Sequence, residues 1–97
     1  MKKHSFYSLM RKDGKNKAVL HNGFSDGTFY YYKDNYTWYA IHPLCGLSVC
    51  YGYTRKECAD KAHAPALFAK ITEDFVKRGE TLTAQFENAI RELKAEG

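Results

Sequence analysis

The chain has 97 residues, 44% of them hydrophobic and 27% charged, with a net charge of +4. That length holds one domain with a modest core, and the composition excludes a disordered chain. No apolar run approaches the roughly 20 residues of a membrane span. No GxGxxG, P-loop, HExxH, GxSxG or EF-hand pattern occurs, which removes the commonest signatures of nucleotide, zinc-protease, hydrolase and calcium chemistry.

In chain order, Met1-Lys2-Lys3-His4-Ser5 is basic but leads into no apolar stretch, so no secretory leader is expected. Lys2, Lys3, Arg11, Lys12, Lys15 and Lys17 are opposed over the same stretch only by Asp13. This segment predicts an anionic partner such as nucleic acid, or else a solvated surface that aids solubility. Ser5 to Met10 and Ala18-Val19-Leu20 predict two short strands, the second bounded by Gly14 and by Asn22-Gly23.

The aromatic run Thr28 to Lys33 predicts a strand, Asp34-Asn35 a tight turn, and Tyr36 to His42 a second strand. Pro43-Leu44-Cys45-Gly46 predicts a turn, and Leu47 to Tyr53 a third strand. Thr54-Arg55-Lys56-Glu57 is a capping box that starts a helix running to about His63. Pro65 suits the first turn of the next helix, where Leu67, Ile71 and Phe75 repeat every four residues as one buried face. Gly79 is the expected C-cap. A last helix is expected from Thr83 to Ala95, with Phe86, Ala89, Ile90 and Leu93 on one stripe. The whole is a single α+β domain over residues 1–97, with a β part over 1–53 and a helical part over 54–97. An antiparallel sheet of three or more strands is followed by two to three helices packed on one of its faces.

Strand alternation then sorts the side chains. If Asp34-Asn35 is the turn, Lys33 pairs with Tyr36 and Tyr31 with Trp38. If the Pro43–Gly46 turn sets His42 opposite Leu47, Ala40 pairs with Val49 and Trp38 with Tyr51. One face collects Phe29, Tyr31, Trp38, Ala40, Leu47, Val49 and Tyr51, the apolar set that the helices should cover. The other collects Thr28, Tyr30, Tyr32, Thr37, Tyr39, Ile41, Ser48 and Cys50. Tyrosine offers a flat ring, a hydroxyl and little rotamer entropy to lose, properties favoured at interfaces and on base-stacking platforms. The expected partner-binding residues are therefore Tyr30, Tyr32, Thr37, Tyr39 and Lys33, with Arg11, Lys12, Lys15 and Lys17. The alternative is that the tyrosines form an ordinary cross-strand ladder or lie beneath the N-terminal segment.

Three cysteines, an odd number, argue against a secreted disulfide framework and for a reducing cytoplasm. No cofactor is expected. The alternative is zinc: His42, Cys45, Cys50, Cys58 and His63 lie close in sequence. Against it, Cys-x2-Cys is absent, and Cys58 and His63 point about 140° apart on a helix. Cys50 is also expected on the face opposite the helices, away from Cys58. The Cys45–His42 pair lacks an orienting carboxylate for nucleophilic catalysis. Glu73 and Asp74 are adjacent and diverge on a helix, so they read as solvated charge. No enzyme is expected.

The stretch from Gly27 to His63 resembles the arm-type DNA-binding domains of phage and transposon integrases, small modules of a three-stranded sheet plus a helix. Phe29, Trp38, Gly46 and Thr54-Arg55-Lys56-Glu57 carry the likeness. It implies that the sheet face away from the helix enters a DNA groove, by position Tyr30, Tyr32, Thr37 and Tyr39. The chain carries Tyr where those modules carry Arg or Lys, and it has no catalytic integrase domain. In size and composition it is also similar to small accessory proteins of phages and mobile elements, among them anti-CRISPR inhibitors. The expected function is a non-enzymatic binding protein that engages and inhibits a nucleic-acid-handling protein or ribonucleoprotein. The alternatives are a DNA- or RNA-binding module and a zinc-stabilised interaction module.

Overall fold

Asp13 and Gly14 both take left-handed backbone angles, φ +54° and +77°, the geometry of a two-residue hairpin turn whose twist matches its flanking strands. They join β1 (Lys2–Lys12) to β2 (Lys15–Ser25) in a hairpin paired from Lys12↔Lys15 to Lys2↔Ser25. The structure, a computed structural model, describes residues 1–96. The two short strands expected here are thus one long ribbon, and Asn22-Gly23 lies inside β2 rather than bounding it. Gly23 is there for close approach. A Cβ on it would overlap the Tyr31 carbonyl oxygen and press on the Phe6 ring.

β2 pairs with β3 (Tyr30–Asp34) only through Phe24↔Tyr31 and Ser25↔Tyr30. β4 (Thr37–Ile41) and β5 (Ser48–Gly52) complete a five-stranded antiparallel sheet in the order β1-β2-β3-β4-β5. The β3–β4 turn is Asn35-Tyr36, with Asn35 at φ +56° and Asp34 opposite Thr37. Lys33 therefore pairs with Trp38, two residues from the expected Tyr36. A shift of two leaves every side chain on its face, so Phe29, Tyr31, Trp38 and Ala40 still share one side.

The β4–β5 pairing departs from expectation by one residue. Ala40 lies opposite Cys50 but Ile41 opposite Ser48, so Val49 is the extra residue of a bulge. Beyond the bulge the two faces of β5 exchange. Cys50 turns to the helix side and Tyr51 to the other, correcting both expectations.

Thr54 caps α1 (Arg55–Ala62), its Oγ1 accepting the Glu57 N–H at 3.0 Å. Glu57 Oε2 reaches back to accept the Tyr53 N–H at 3.2 Å. His63 closes the helix. Pro65 then begins α2 (Pro65–Glu96), one continuous helix of 32 residues. The expected break at Gly79 is absent. Gly79 sits mid-helix and buried, with the Phe75 ring of the preceding turn packed over its bare Cα. No proline follows it, and a single interior glycine costs only about 1 kcal/mol.

Two clusters form the core. Phe29, just before β3, and Tyr31 and Ala40 of the sheet pack on Cys58 and Ala62 of α1. Leu9 and Ala18 of the hairpin pack on Phe86 and Ala89 of α2. Gly46, at φ +71°, ties the β4–β5 loop to both layers. Its carbonyl accepts the Leu9 N–H at 2.8 Å, and a Cβ there would overlap the Phe86 ring. The fold is α+β, with both helices on one side of the sheet.

Asp26 joins the pieces around β3. Its Oδ1 accepts the N–H groups of Thr28 and Phe29 at 2.9 and 2.8 Å. Its Oδ2 accepts the Tyr31 hydroxyl at 2.5 Å and the His63 Nε2–H at 2.7 Å. Burial opposes its charge, but these donors outweigh burial and hold its pKa at about 2. A carboxyl lowered in this way adds stability that is complete above its ordinary 3.8 and is lost as pH falls through about 2. Urea denaturation of Asp26→Asn should show a loss of about 1–3 kcal/mol near neutral pH, the cost of leaving buried donors unmatched. The variant should also lose less stability than the parent chain between about pH 4 and about pH 2. Identical acid profiles would rule out this role.

Candidate functional site

Alternation along the ribbon places His4, Phe6, Ser8, Met10 and Lys12 of β1, with Lys15, Lys17 and His21 of β2, on the side away from the helices. Tyr30 and Tyr32 of β3, Thr37 and Tyr39 of β4, and Tyr51 of β5 continue that face. The helices leave this face uncovered, but Phe6, Ser8 and Ile41 on it are buried beneath its other side chains.

The three expected tyrosines do share this face, each half-buried, but their rings are already engaged. Tyr30 stacks on His4 and Phe6, with centroids 5.0 and 4.9 Å away. Tyr32 lies between His21 at 3.8 Å and Tyr39 at 5.3 Å, both nearly parallel to it. Phe6 is 4% exposed beneath this row. His4, Phe6, Ser8 and His21 are therefore site residues that the sequence reading missed. The signal was available: Asp13-Gly14 is a hairpin dipeptide, and the register it sets puts Phe6 opposite His21.

The remaining expected residues divide. Lys12, Lys15 and Lys17 stand on the uncovered face. Thr37 is there too, opposite Asp34 and half-buried. Arg11 pairs with Asn16 and Lys33 with Trp38 on the helix side, so neither joins the tyrosines. Residues 10–17 are exposed throughout. The basic segment is the end of a two-stranded ribbon that runs beside the second half of α2.

Ser8 Oγ and His21 Nε2 share a hydrogen bond at 2.7 Å. This has the look of a nucleophile and its base, but Ser8 is 1% exposed, so no substrate reaches its hydroxyl. The pair ties the two strands together.

The cysteines and histidines considered for zinc do not converge on one point. Cys50 and Cys58 face one another across β5 and α1, with the Cys50 thiol donating to the Cys58 carbonyl at 3.4 Å. Their contact and the nearby Lys61 and His63 lower the Cys50 pKa against the effect of burial, while the same contact and burial raise that of Cys58. Cys45 is buried in the β4–β5 loop, where burial raises its pKa. His63 is held by Asp26, and His42 Nδ1 accepts the Leu44 N–H at 3.2 Å. Among the described residues, no group of three or more His, Cys, Asp or Glu is placed to hold a metal ion. Among the same residues, no helix is long and apolar enough to cross a membrane.

Comparison of the chain with protein-family models, curated proteins and solved structures finds no match.

Burial lowers the His21 pKa below the ordinary 6.5, and the charge of Asp34 only partly offsets this. As pH falls, the unfolded chain takes up that proton before the folded one does. The stability carried by neutral His21 is present above about pH 6.5 and is lost as pH falls through the native value. An NMR titration of the His21 ring should give a midpoint below 6.5. His21→Phe should reduce the slope of stability against pH between about pH 7 and about pH 5. A midpoint at or above the ordinary value would show that the stack does not desolvate the ring.

Proposed function

We propose that the chain is a non-enzymatic binding protein of phage or mobile-element type. It docks its helix-free sheet face on a protein or ribonucleoprotein that handles nucleic acid and inhibits it, as anti-CRISPR proteins do. The observation that carries this reading is the closed stack His21–Tyr32–Tyr39 beside Phe6–Tyr30. Both faces of Tyr32 are occupied, so it offers no free ring surface to a base. What remains is a surface of ring edges and hydroxyls, ordered before any partner arrives. Such a surface loses little entropy on binding, and tyrosine is enriched in protein interfaces. Lys12, Lys15 and Lys17 extend it along the ribbon and favour an acidic partner surface or exposed phosphates. The three cysteines are free thiols, which agrees with action in a reducing cytoplasm.

One observation favours a second reading, direct binding to DNA or RNA: the basic ribbon itself. A two-stranded ribbon is of a size that the major groove of DNA admits.

Capture from bacterial lysate onto immobilised protein, with and without nuclease, separates the two. The first reading expects a nucleic-acid-handling protein to be retained after nuclease treatment. It also expects Lys15→Glu with Lys17→Glu, and separately Tyr39→Ser with Tyr51→Ser, to weaken that capture about tenfold or more. The second reading expects capture to vanish with nuclease, and affinity for duplex DNA to fall steeply with salt. Undiminished capture by both variants would exclude the uncovered face under either reading.

A further inference from the structure

The first half of α2 is packed differently from the second. Leu67, Ile71 and Phe75 form the four-residue stripe expected to be a buried face, yet no residue from 65 to 78 is buried. In the second half, Phe86 and Ala89 are buried against the ribbon. The difference is a cleft of about 280 Å³ between the first half of α2 and the start of β5. Its walls are apolar, with Leu47 and Val49 on the sheet side and Leu67, Ile71 and Leu82 on the helix.

Lys70 and Arg78 stand at the rim. Asp74 lies one turn from each, where helical neighbours commonly pair, but among the described residues neither cation has an acidic partner within ion-pair distance. With Asp74 counted, the rim keeps one net positive charge. His42 completes the end of the cleft, its ring stacked on Phe75 at 4.9 Å.

We propose that this cleft binds a small amphipathic monoanion, a free carboxylate with a short apolar tail. The tail lies between Val49, Leu67 and Ile71, and the carboxylate meets Arg78 and Lys70. The volume sits just below the roughly 300–1,000 Å³ of most ligand sites, so the tail is short. An occupant would bury the Leu67–Ile71–Phe75 stripe that the fold leaves half-exposed. The cleft is on the helix side of the sheet, so this site is independent of the face assigned to the macromolecular partner.

The test is an NMR titration of the full chain with octanoate, kept below its micelle concentration, and with octanol as the neutral counterpart. Octanoate should saturate, shift the methyl resonances of Val49, Leu67 and Ile71, and raise the melting temperature with concentration. The parent chain should bind octanol more weakly. Lys70→Gln with Arg78→Gln, both exposed positions, should weaken octanoate about tenfold and leave octanol unchanged. Ile71→Trp should fill the cleft and abolish both. Absence of saturable binding, shifts confined to residues elsewhere, or equal affinity of the parent chain for octanoate and octanol would overturn the proposal.

Discussion

Tyr31 is fully buried and among the largest side chains in the core, and a hydroxyl taken there must find a partner. Asp26 provides it, while the same carboxylate closes the turn before β3 and receives His63 from the end of α1. Turn, central strand and short helix are thus joined at one group. Slipping β3 by one residue would leave Asp26 without Tyr31 and put Phe29 in water. Hence the odd-numbered residues of this stretch face the helices, and Tyr30 and Tyr32 face the other way.

That choice decides what the uncovered face can be. The ribbon could not lie so near β3 if Gly23 carried a side chain, because β2 passes directly over the Tyr31 carbonyl. The close approach brings Phe6 onto Tyr30 and His21 onto Tyr32, and the rings order one another. Charge follows the same division. Residues 50–97 hold equal numbers of basic and acidic side chains, while the excess lies in the sheet half and above all in the ribbon. The helical layer is electrostatically neutral, and the ribbon is the part that an anionic partner would meet first.

α2 serves two packing environments along one axis. Its second half seals the ribbon through Phe86 and Ala89, and Phe86 also closes on Gly46. Its first half lies beside the bulged start of β5. There Val49 is the unpaired residue; Ile71 of the stripe reaches the same core cluster as Val49, but Leu67, Ile71 and Phe75 stay half-exposed. A bulge bends its strand away from a flat sheet, which agrees with a cleft at this end.

How much was legible in the sequence follows from the range of the interactions involved. The aromatic alternation, the Thr54 capping box and Pro65 are local signals, and each marks its element correctly. The β3–β4 register came out two residues off, and because the strand period is two, the faces survived the error. The β4–β5 register was off by one beyond the bulge, and that exchanged Cys50 with Tyr51. Gly79 resembles a cap in sequence, but a cap exists only if the chain turns there, and packing under Phe75 lets the helix continue. Asp13-Gly14 was readable and would have led to Phe6 and His21.

By itself, then, the sequence determined the α+β class, the start of each helix and which tyrosines of β3 and β4 stand opposite the core, since propensity, capping and alternation act over a few residues. Only the tertiary structure decided that those tyrosines stack against the N-terminal strand, that Cys50 meets Cys58, and that the first half of α2 covers its side of the sheet only in part. These outcomes depend on a one-residue bulge and on how closely two backbones approach, and no single segment encodes either.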